Sequence, residues 1–542
     1  MAERKANEIF KEFREHSIAE FFKKNKQMLG YAGMVRSMVT IVHEYVTNSL
    51  DACEDAGILP SIDVEVAQIG ENRYSVMVRD NGPGIPKKFV GKALATILAG
   101  TKFHRYVQQR GQQGIGASGC TLFAQVTTGK PIAVKSYTGV SECYSCTVAI
   151  DTVNNKPIIA AMKDIPNETG ATGTEVYGEF SGIKYENSDH GVYEYLKRTA
   201  LANPHAQIRF KDPEGKEYTF VRSTNATPGV PKETKPHPLG LEVNDIIDFA
   251  KRSTQGKISQ FLLESFSRVS SSKINELKQI CGVDMEKPPK SITWDDAEKL
   301  IKAFRSMKWL APDASVISPI GQERIKLAIK SILNPEYMHV IERKPAVFKG
   351  GIPFIVEAAI AYGGLAGKKL EGGEYAGSIL RFANRVPLLF DTGSCAITQA
   401  VRSIQWKRYN IDIDNQAVSV FVNISSVYIP YSGVGKEAIA QEDEIIEEVK
   451  LALQDAARNI QRYMHGKQQI NLETNKYKTI IRYVSQLSKD LSNLTGEDKQ
   501  IIEHKLSDLV SEHYPKINDK TESNDEDDTE FKVIEKDPGE DS

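Results

Sequence analysis

Glu44 and Asn48 lie four residues apart in the segment E-Y-V-T-N-S-L-D-A, where the spacing of apolar residues predicts a helix over 34–56. Side chains four residues apart share one helix face, one turn from each other. A carboxylate on that face could orient and deprotonate the water that attacks a γ-phosphate, while an amide oxygen could bind Mg²⁺ without adding negative charge. A solvated polar face can carry the same pair, so this helix alone leaves both interpretations open.

Asp80 ends an alternating, apolar segment that predicts a strand, and it opens the turn D-N-G-P-G-I. Glycines in such a turn let the backbone approach a flat ligand closely, and the carboxylate of Asp80 could accept a hydrogen bond from an exocyclic amine. The alternative is a plain turn after a strand, because Asp-Asn-Gly is among the commonest turn sequences. Either interpretation fits this segment taken alone.

A third segment, R-G-Q-Q-G-I-G at 110–116, is typical of a loop whose amides point at phosphates from a helix N-terminus. Gly114, Gly116 and Gly119 also spell the dinucleotide fingerprint G-x-G-x-x-G, but the preceding residues are too polar for the buried strand that this fingerprint requires. No Gly-Lys pair is followed by Ser or Thr, so the sequence has no Walker A loop. The order of the three segments indicates an ATP site without a P-loop.

Composition is that of an ordinary globular protein: 542 residues, 40 % hydrophobic and 26 % charged, which predicts roughly three or four domains. No run reaches transmembrane length, and the charged N-terminus lacks the apolar core of a secretory signal, so we expect a cytoplasmic protein without membrane contact. Six cysteines imply no disulfide framework. Cys143 and Cys146 have C-x-x-C spacing, but without a second pair a strand is favoured over a zinc or redox site.

Charge is unevenly distributed along the chain. Of its 69 basic and 71 acidic residues, 3 and 11 lie in 519–542, so residues 1–518 carry 66 basic and 60 acidic residues. A mildly basic body permits contact with nucleic acid without demanding it. The acidic tail is poor in apolar residues and rich in like charge, which predicts disorder.

Hydrophobic patterning predicts an α/β protein with several units. We expect a short N-terminal arm, a first α/β domain, a small all-helical insert, a second α/β domain, C-terminal helices and the acidic tail, with the bounds 1–30, 31–228, 229–308, 309–465, 466–518 and 519–542. The main predicted strands are 62–69, 73–80, 132–136, 144–150, 173–180, 206–210, 352–362, 377–391 and 416–429. The other predicted helices are 190–202, 321–333, 395–405, 437–463, 472–490 and 497–513.

The three motif segments together resemble the nucleotide site of the gyrase, heat-shock chaperone, histidine kinase and mismatch-repair ATPase superfamily, called the GHKL or Bergerat fold. Further segments resemble the B subunits of archaeal type IIB DNA topoisomerase VI. They are A-E-F-F-K-K-N at 19–25, G-I-L-P at 57–60, K-P-H-P at 235–238, W-K-R-Y at 406–409 and G-V-G-K-E-A-I-A at 433–440. These matches span most of residues 19–465.

The resemblance implies a role for each matching residue. Glu44 would be the general base and Asn48 the Mg²⁺ ligand, Asp80 would read adenine, and Lys436 would reach the γ-phosphate from the second α/β domain. ATP would also be contacted by the base-pocket, adenine-side and phosphate-lid residues Gly84, Lys102, Gly111, Gln112, Gln113, Gly114, Ile115, Gly116 and Thr174. An ammonium group on a glycine-flanked loop can follow the phosphate, so the nucleotide state would set the angle between domains.

The resemblance also implies an architecture and an assembly. The first domain would be a GHKL ATPase domain of the α+β sandwich type, the insert a helix-two-turn-helix module, and the second domain a transducer with a left-handed crossover. Two copies would dimerise on binding ATP, with residues 1–30 crossing between them. A separate A subunit would cleave double-stranded DNA and dock after about Glu437, giving an A₂B₂ heterotetramer in which Lys407 and Arg408 contact DNA.

The same ATP site could serve a protein of two other functional classes. A chaperone or mismatch-repair clamp would capture protein partners with this ATPase, and activation by crossed DNA instead of unfolded protein would separate the two functions. A histidine kinase is disfavoured, because only His16 and His43 precede Glu44 and the motif order would demand a histidine far upstream.

Overall fold

A computed structural model describes most of the chain: residues 26–27, 30–97, 106–111, 114–139, 142–370, 372–433 and 435–513. Most of the predicted N-terminal arm, and the whole of the predicted acidic tail, lie outside these described residues. The architecture below therefore concerns the two predicted α/β domains, the insert between them and the C-terminal helices.

Eight strands form the first sheet: β1 Ser61–Gly70, β2 Arg73–Asp80, β3 Ile132–Thr138, β4 Cys143–Asp151, β5 Lys156–Asp164, β6 Thr172–Ser181, β7 Gln207–Lys211 and β8 Glu217–Phe220. Their order is β5-β4-β3-β6-β2-β1-β7-β8. The β1–β7 pair is parallel and the other neighbours are antiparallel. This mixed sheet places the end of β2, at Asp80, beside the start of β6 in the middle of the sheet.

The described residues of the same domain form four helices: α1 Met34–Asp55, α2 Lys87–Leu94, α3 Gly116–Thr128 and α4 Val192–Ala202. Buried residues alternate along β1, where Ile62, Val64 and Val66 join a single apolar core with residues of the helices. Alternation of this kind puts one sheet face against helices and leaves the other face more exposed. The predicted two-layer α/β sandwich is confirmed.

The insert contains the helices α5 Val243–Arg252, α6 Ile258–Ser265, α7 Ser271–Ile280 and α8 Trp294–Ser306, packed around an apolar core of their own. The hydroxyl of Ser270 caps α7, and Thr293 forms a capping box with Asp296 at the start of α8. Such caps satisfy amides that a helix N-terminus leaves without partners. The all-helical insert is confirmed, and its likeness to a helix-two-turn-helix module stays a prediction.

A second sheet lies in the second α/β domain and contains β9 Tyr337–Glu342, β10 Ala346–Phe348, β11 Ile352–Tyr362, β14 Ser378–Ala383, β15 Val386–Pro387 and β16 Val418–Ser426. The separate hairpin is β12 Lys368–Lys369 with β13 Tyr375–Ala376. The sheet order is β10-β11-β16-β14-β15, and β9 also pairs with β11. Since β14 and β16 are parallel, the chain must cross over between them, and the handedness of that crossover stays a prediction.

The helices α9 Gln322–Leu333, α10 Ala396–Ser403 and α11 Asp443–Thr495 cover this sheet. Alternate residues of β11 belong to two apolar clusters, one shared with α10 and α11 and the other with α9. Both faces of the central strands are therefore buried, which explains their continuous apolar sequences. The second cluster also contains residues of α4, so apolar packing continues between the two α/β domains.

Three predictions in this half of the chain are wrong in detail. The segment 377–391 is two short strands, because a left-handed turn at Asn384 and Arg385 divides it. The long helix begins at residue 443 instead of 437, since the preceding residues form a loop closed by the Tyr431–Ile439 bridge. It then runs without a break for 53 residues, about 80 Å at 1.5 Å per residue, before α12 Lys499–His513.

Glycine 466 lies inside this long helix and does not end it. The cost of an interior glycine is only about 1 kcal/mol relative to alanine, and the first half of the helix is held by buried residues such as Ile445, Val449 and Ile460. Among the helices of the described ranges, none combines the length and apolar character needed to cross a bilayer.

Candidate functional site

Helix α1 positions Glu44 and Asn48 on one side of the first domain. Most of α1 is buried, and Met38, Ile41 and Val42 are among its fully buried residues. Glu44 is half-buried and Asn48 is exposed, and the four-residue spacing puts both on one face of the helix. The predicted pair therefore shares a face that the apolar core leaves accessible.

Glu44 lies against the N-terminus of α3, at Gly116. A Cβ on Gly116 would overlap the carboxylate of Glu44, so only glycine lets the two elements approach this closely. A helix start presents unpaired amides and the positive end of the helix dipole, which favour negative charge. The structure thus brings the predicted general base to the phosphate-binding end of the predicted lid.

Asp80 is held in place by three hydrogen bonds. Its Oδ1 accepts from the amides of Gly82 at 2.9 Å and Thr174 at 3.1 Å, while its Oδ2 accepts from Oγ of Ser49 at 2.8 Å. Burial raises the pKa of Asp80, and these donors oppose that rise. A carboxylate offers about four acceptor positions, so Asp80 keeps capacity for an exocyclic amine.

The turn after Asp80 packs tightly on neighbouring strands. Gly84 has a φ of 76°, and a Cβ there would overlap the carbonyl of Tyr137 and lie 2.9 Å from Cγ2 of Thr138. No larger residue fits this left-handed, crowded position without a backbone shift. Because Thr174 is hydrogen-bonded to Asp80, the three residues predicted to lie around adenine belong to one small region.

Part of the predicted phosphate loop is described. Gly114 has a φ of 59°, and Ile115 is the N-cap residue of α3, directly before Gly116. A Cβ on Gly111 would have no heavy atom within 4 Å, so the loop leaves open space there. Three predicted contacts, Lys102, Gln112 and Gln113, lie outside the described residues.

Lys436 reaches the first domain from the loop between β16 and α11. Burial lowers the pKa of His43, the residue before Glu44. The charge of Glu44 opposes this change, and the charge of Lys436 adds to it. The adjacent Gly435 also packs here, because a Cβ on it would lie 3.6 Å from Nη2 of Arg36. The structure therefore places the predicted phosphate-sensing cation beside the helix that carries Glu44 and Asn48.

Arg36 joins the same loop to α1. Its guanidinium binds Asp391 through two hydrogen bonds of 3.2 and 3.0 Å, and its Nε lies 3.9 Å from Oε1 of Glu437. It also stacks 4.9 Å above the ring of Phe390. Burial raises the pKa of Glu437 to about 7, with the positive charge of Arg36 opposing the rise. The contacts of Arg36 were not predicted from the sequence, because no local pattern around Arg36 or Glu437 indicates that the two residues meet.

A buried ionic cluster, also missed from the sequence, lies at the base of the phosphate loop. Arg110 binds Asp51 at 2.7 Å and Glu54 at 2.6 Å, and Arg385 of the second domain lies 3.3 Å from Glu54. His205 also contacts Glu54, at 2.8 Å. The one available signal was Arg110 itself, a charged residue directly before the glycines.

Other candidate residues have plainer positions. Trp406 is buried, and its indole donates to the carbonyl of Val401, whereas Lys407 and Arg408 are exposed. Cys143 and Cys146 are buried on β4. Within the described ranges, no group of three or more His, Cys, Asp or Glu residues could hold a metal ion.

The donor set still fits Mg²⁺ bound together with a triphosphate. Mg²⁺ keeps several waters and usually takes only one or two protein oxygens when phosphates supply the rest. The exposed amide of Asn48 provides one neutral oxygen on the same helix face as Glu44.

Two family models match the chain. Residues 33–152 match "Histidine kinase-, DNA gyrase B-, and HSP90-like ATPase", and residues 312–476 match "Topoisomerase VI B subunit, transducer". The fold and the matched domains define the class, a GHKL-type ATPase domain coupled to a transducer in one component of an ATP-driven topoisomerase. The matches cover parts of the two predicted α/β domains, whose bounds stay predictions.

Full-length relatives identify the family. The type 2 DNA topoisomerase 6 B subunit of Pyrococcus horikoshii is 44 % identical over 551 residues, covering 93 % of this chain and 96 % of that protein. The B subunit of Thermococcus sibiricus is 42 % identical, over 96 % of this chain and 99 % of that protein. The B subunit of Methanothermobacter thermautotrophicus is 43 % identical, over 92 % of this chain and 95 % of that protein. The chain belongs to the family of type 2 DNA topoisomerase 6 B subunits.

Solved structures add little to this identification. The ATPase region of Saccharomyces cerevisiae topoisomerase II is 11 % identical in sequence. The match covers 84 % of this chain and 99 % of that structure's chain, with a TM-score of 0.41. That score is too low to support an argument. Membership of the family nevertheless favours the topoisomerase interpretation over the chaperone or mismatch-repair clamp.

Proposed function

We propose that the chain binds and hydrolyses ATP in the cleft between α1, the turn after β2 and the N-terminus of α3, and that it couples hydrolysis to passage of double-stranded DNA. The observation that carries the proposal is the contact of Glu44 with the start of α3, and the charge of Lys436, from the second domain, acts on His43, the residue before Glu44. A base, a phosphate-binding helix end and a cation are parts that phosphoryl transfer to water uses.

Each protein group has one task in this scheme. Asp80 accepts a hydrogen bond from the exocyclic amine of adenine and thereby orients the base. Glu44 orients and deprotonates the attacking water, held close to the phosphates by the glycine at 116. Asn48 would hold Mg²⁺ together with the phosphates, and the ion would supply positive charge to the phosphate oxygens. Lys436 stabilises the γ-phosphate and loses this partner once phosphate leaves.

Loss of that partner gives the cycle its mechanical step. The loop of Lys436 is joined to α1 through Arg36 and Glu437, and the same loop leads directly into the long helix α11. The gain or loss of the contact between Lys436 and the γ-phosphate can thus bias the angle between the two domains. We infer that two copies dimerise through their first domains on binding ATP and close a gate around DNA.

Partners are proposed from surface chemistry together with family membership. Lys407 and Arg408 are exposed beside the buried Trp406 and can contact DNA phosphates. A DNA-cleaving A subunit would dock on the C-terminal helices, where exposed apolar side chains include Tyr483, Leu487, Leu494, Ile501 and Leu509. The assembly would be an A₂B₂ heterotetramer.

Substituting Glu44 by alanine tests the proposed chemistry. Glu44→Ala should bind ATP with near-normal affinity, while ATPase activity and relaxation of supercoiled DNA with the A subunit should fall about 100-fold or more. Glu71→Ala, at an exposed glutamate in the β1–β2 turn, is the matched control and should behave as wild type. Normal hydrolysis by Glu44→Ala would remove Glu44 from the proposed role, and stimulation of wild-type ATPase by unfolded protein but not by DNA would refute strand passage.

A further inference from the structure

A buried polar chain connects the phosphate loop to the sheet of the second domain. It begins at Arg110, directly before the loop glycines, and passes through Glu54 on α1 to Arg385 in the β14–β15 turn. The side chain of Arg110 is 3 % exposed, that of Arg385 is 5 % exposed, and that of Glu54 is 13 % exposed. Charges so far removed from water are costly, so an arrangement of this kind requires specific partners.

Glu54 is the shared element of this chain. Burial would raise the pKa of Glu54, but the charges of Arg110 and Arg385 hold that pKa well below its usual range. Both terminal nitrogens of Arg110 are held, because they bind Asp51, both oxygens of Glu54, and the side-chain oxygen of Asn203 at 2.6 Å, and only Nε lacks a hydrogen-bond partner among the described residues. The end of the cluster that faces the phosphate loop is therefore fixed.

The end that faces the second domain is loosely held. Arg385 touches Glu54 through Nη2 at 3.3 Å, while its Nε and Nη1 are buried without a hydrogen-bond partner among the described residues. It lines a cavity of ≈ 160 Å³ together with Arg110 and Glu54. A buried guanidinium with unused donors and adjacent space can adopt a second arrangement when its surroundings shift.

The backbone around Arg385 supports a dedicated position for this side chain. Asn384 and Arg385 have φ values of 49° and 69°, both in the left-handed region that favours glycine or asparagine. An arginine in that region is uncommon and is retained only where neighbouring contacts determine it. The turn thus aims a long cation out of the second sheet and into the first domain.

Beyond the turn, the polar chain continues across the second sheet. The amide of Arg385 donates to Oδ1 of Asn423 on β16, whose Nδ2 donates to Glu357 on β11. Glu357 in turn accepts from the amides of Ile320 and Gly321 at the start of α9. Every side chain in this path is buried, so a shift of Arg385 is passed to two central strands and a helix.

We propose that Glu54 and Arg385 form a relay by which the second domain registers the state of the phosphate loop, with Arg385 as a positioning residue separate from Lys436. This inference rests on the proposed function, because it assigns a second coupling route to the same ATP site. Lys436 senses the γ-phosphate directly, whereas the relay senses the base of the loop through Arg110. Because both Lys436 and the relay act on the second domain, closure of the dimer depends on the bound nucleotide and on the state of the phosphate loop.

A distance measurement on the full chain assembled with the A subunit tests the relay. Spin labels are attached at Val153→Cys in the first domain and Leu365→Cys in the second, both exposed positions, while all six native cysteines are buried. Labelled chain is diluted with excess unlabelled chain. Addition of a non-hydrolysable ATP analogue with Mg²⁺ should shift the distance in the otherwise wild-type assembly.

Arg385→Met removes the charge and keeps an unbranched side chain, and Glu54 retains Arg110 and His205 as partners. We expect this variant to bind the analogue within about threefold of the wild-type affinity, to lose at least half of the distance shift, and to hydrolyse about tenfold more ATP per supercoil removed. Arg385→Lys should restore part of the shift. Arg343→Met is the matched control, because the ionic contacts of Arg343 with described residues, Glu448 and Asp455, lie within the second half of the chain and do not reach the first domain.

Full wild-type shift and coupling in Arg385→Met would overturn the relay. Equal losses in Arg385→Met and Arg343→Met would also overturn it, since the effect would then reflect general damage to the domain. Failure of the wild-type chain to bind the analogue is a different outcome, because it would refute the proposed ATP site itself.

Discussion

Replacing Gly116 by alanine should separate folding from catalysis. A Cβ at this position would lie 2.6 Å from the carboxyl carbon of Glu44, whereas carbon atoms in contact sit at about 3.5 Å or more, so the carboxyl group must retreat by roughly 1 Å. The carboxylate is the far end of a flexible side chain, so the fold can accommodate this movement. A misplacement of about 1 Å at a reacting group can lower the rate by about 100-fold.

The assay is steady-state ATP hydrolysis, with thermal unfolding measured in parallel. Gly116→Ala should lower kcat about 100-fold with little change in Tm. Gly119→Ala is the matched control in the same helix, because a Cβ there meets nothing nearer than 3.4 Å and fits without displacement. In a Glu44→Ala background, adding Gly116→Ala should cost little more, since the group that it displaces is already gone.

Two outcomes would refute this reasoning. Wild-type kcat in Gly116→Ala would show that the position of Glu44 against α3 does not matter for hydrolysis. A further loss in the Glu44→Ala background, as large as in the wild-type background, would show that Gly116 acts through the phosphate loop instead of through Glu44.

Two more predictions follow from the contacts of Asp80 and Glu437. Asp80→Asn keeps an oxygen for the amides of Gly82 and Thr174 but presents donors to the adenine amine, so ATP affinity measured by calorimetry should fall by about 100-fold, or about 3 kcal/mol. Asp63→Asn is the control, at a partly exposed aspartate that pairs with Arg209, and it should not change ATP affinity. Glu437 has its folded-state pKa raised from 4.5 to about 7, so the native state holds the extra proton in this window and the free energy of unfolding should fall as pH rises through it. Glu437→Gln should remove up to about 3 kcal/mol of that fall between pH 5 and pH 8, and an unchanged pH profile in denaturant titrations would contradict the burial of an ionisable group there.

Patterning predicted the elements that contain the site. Three elements have a spacing or run of apolar residues that indicates which side chains are buried. They are the Glu44 helix, the strand that ends at Asp80 and the central strand at 352–362. The edge strand β5 was missed because all of its residues are exposed and Pro157 lies within it, which demotes a segment as a strand candidate. The strand β9 was also missed, because it is defined by its pairing with β11 and no local pattern specifies that pairing.

The contacts between domains were beyond sequence reasoning for a related reason. Glu54 and Arg385 are separated by more than half of the chain, and a lone Glu or Arg is usually a solvated surface residue. Only the folded structure shows that both are buried and that Arg110 completes the cluster. Likewise, the glycine motif predicted phosphate contact, but it could not show that Gly116 is required for the approach of Glu44.

The central claim is that the cleft beside α1 holds a nucleoside triphosphate whose γ-phosphate is contacted by a lysine from the neighbouring domain. A structure of the chain with Mg²⁺ and a non-hydrolysable ATP analogue measures this directly. We expect the adenine amine within hydrogen-bond distance of Asp80 and Nζ of Lys436 about 2.8 Å from a γ-phosphate oxygen. Analogue bound elsewhere, or bound here with Lys436 directed away from it, would show that this ATP site is wrongly assigned.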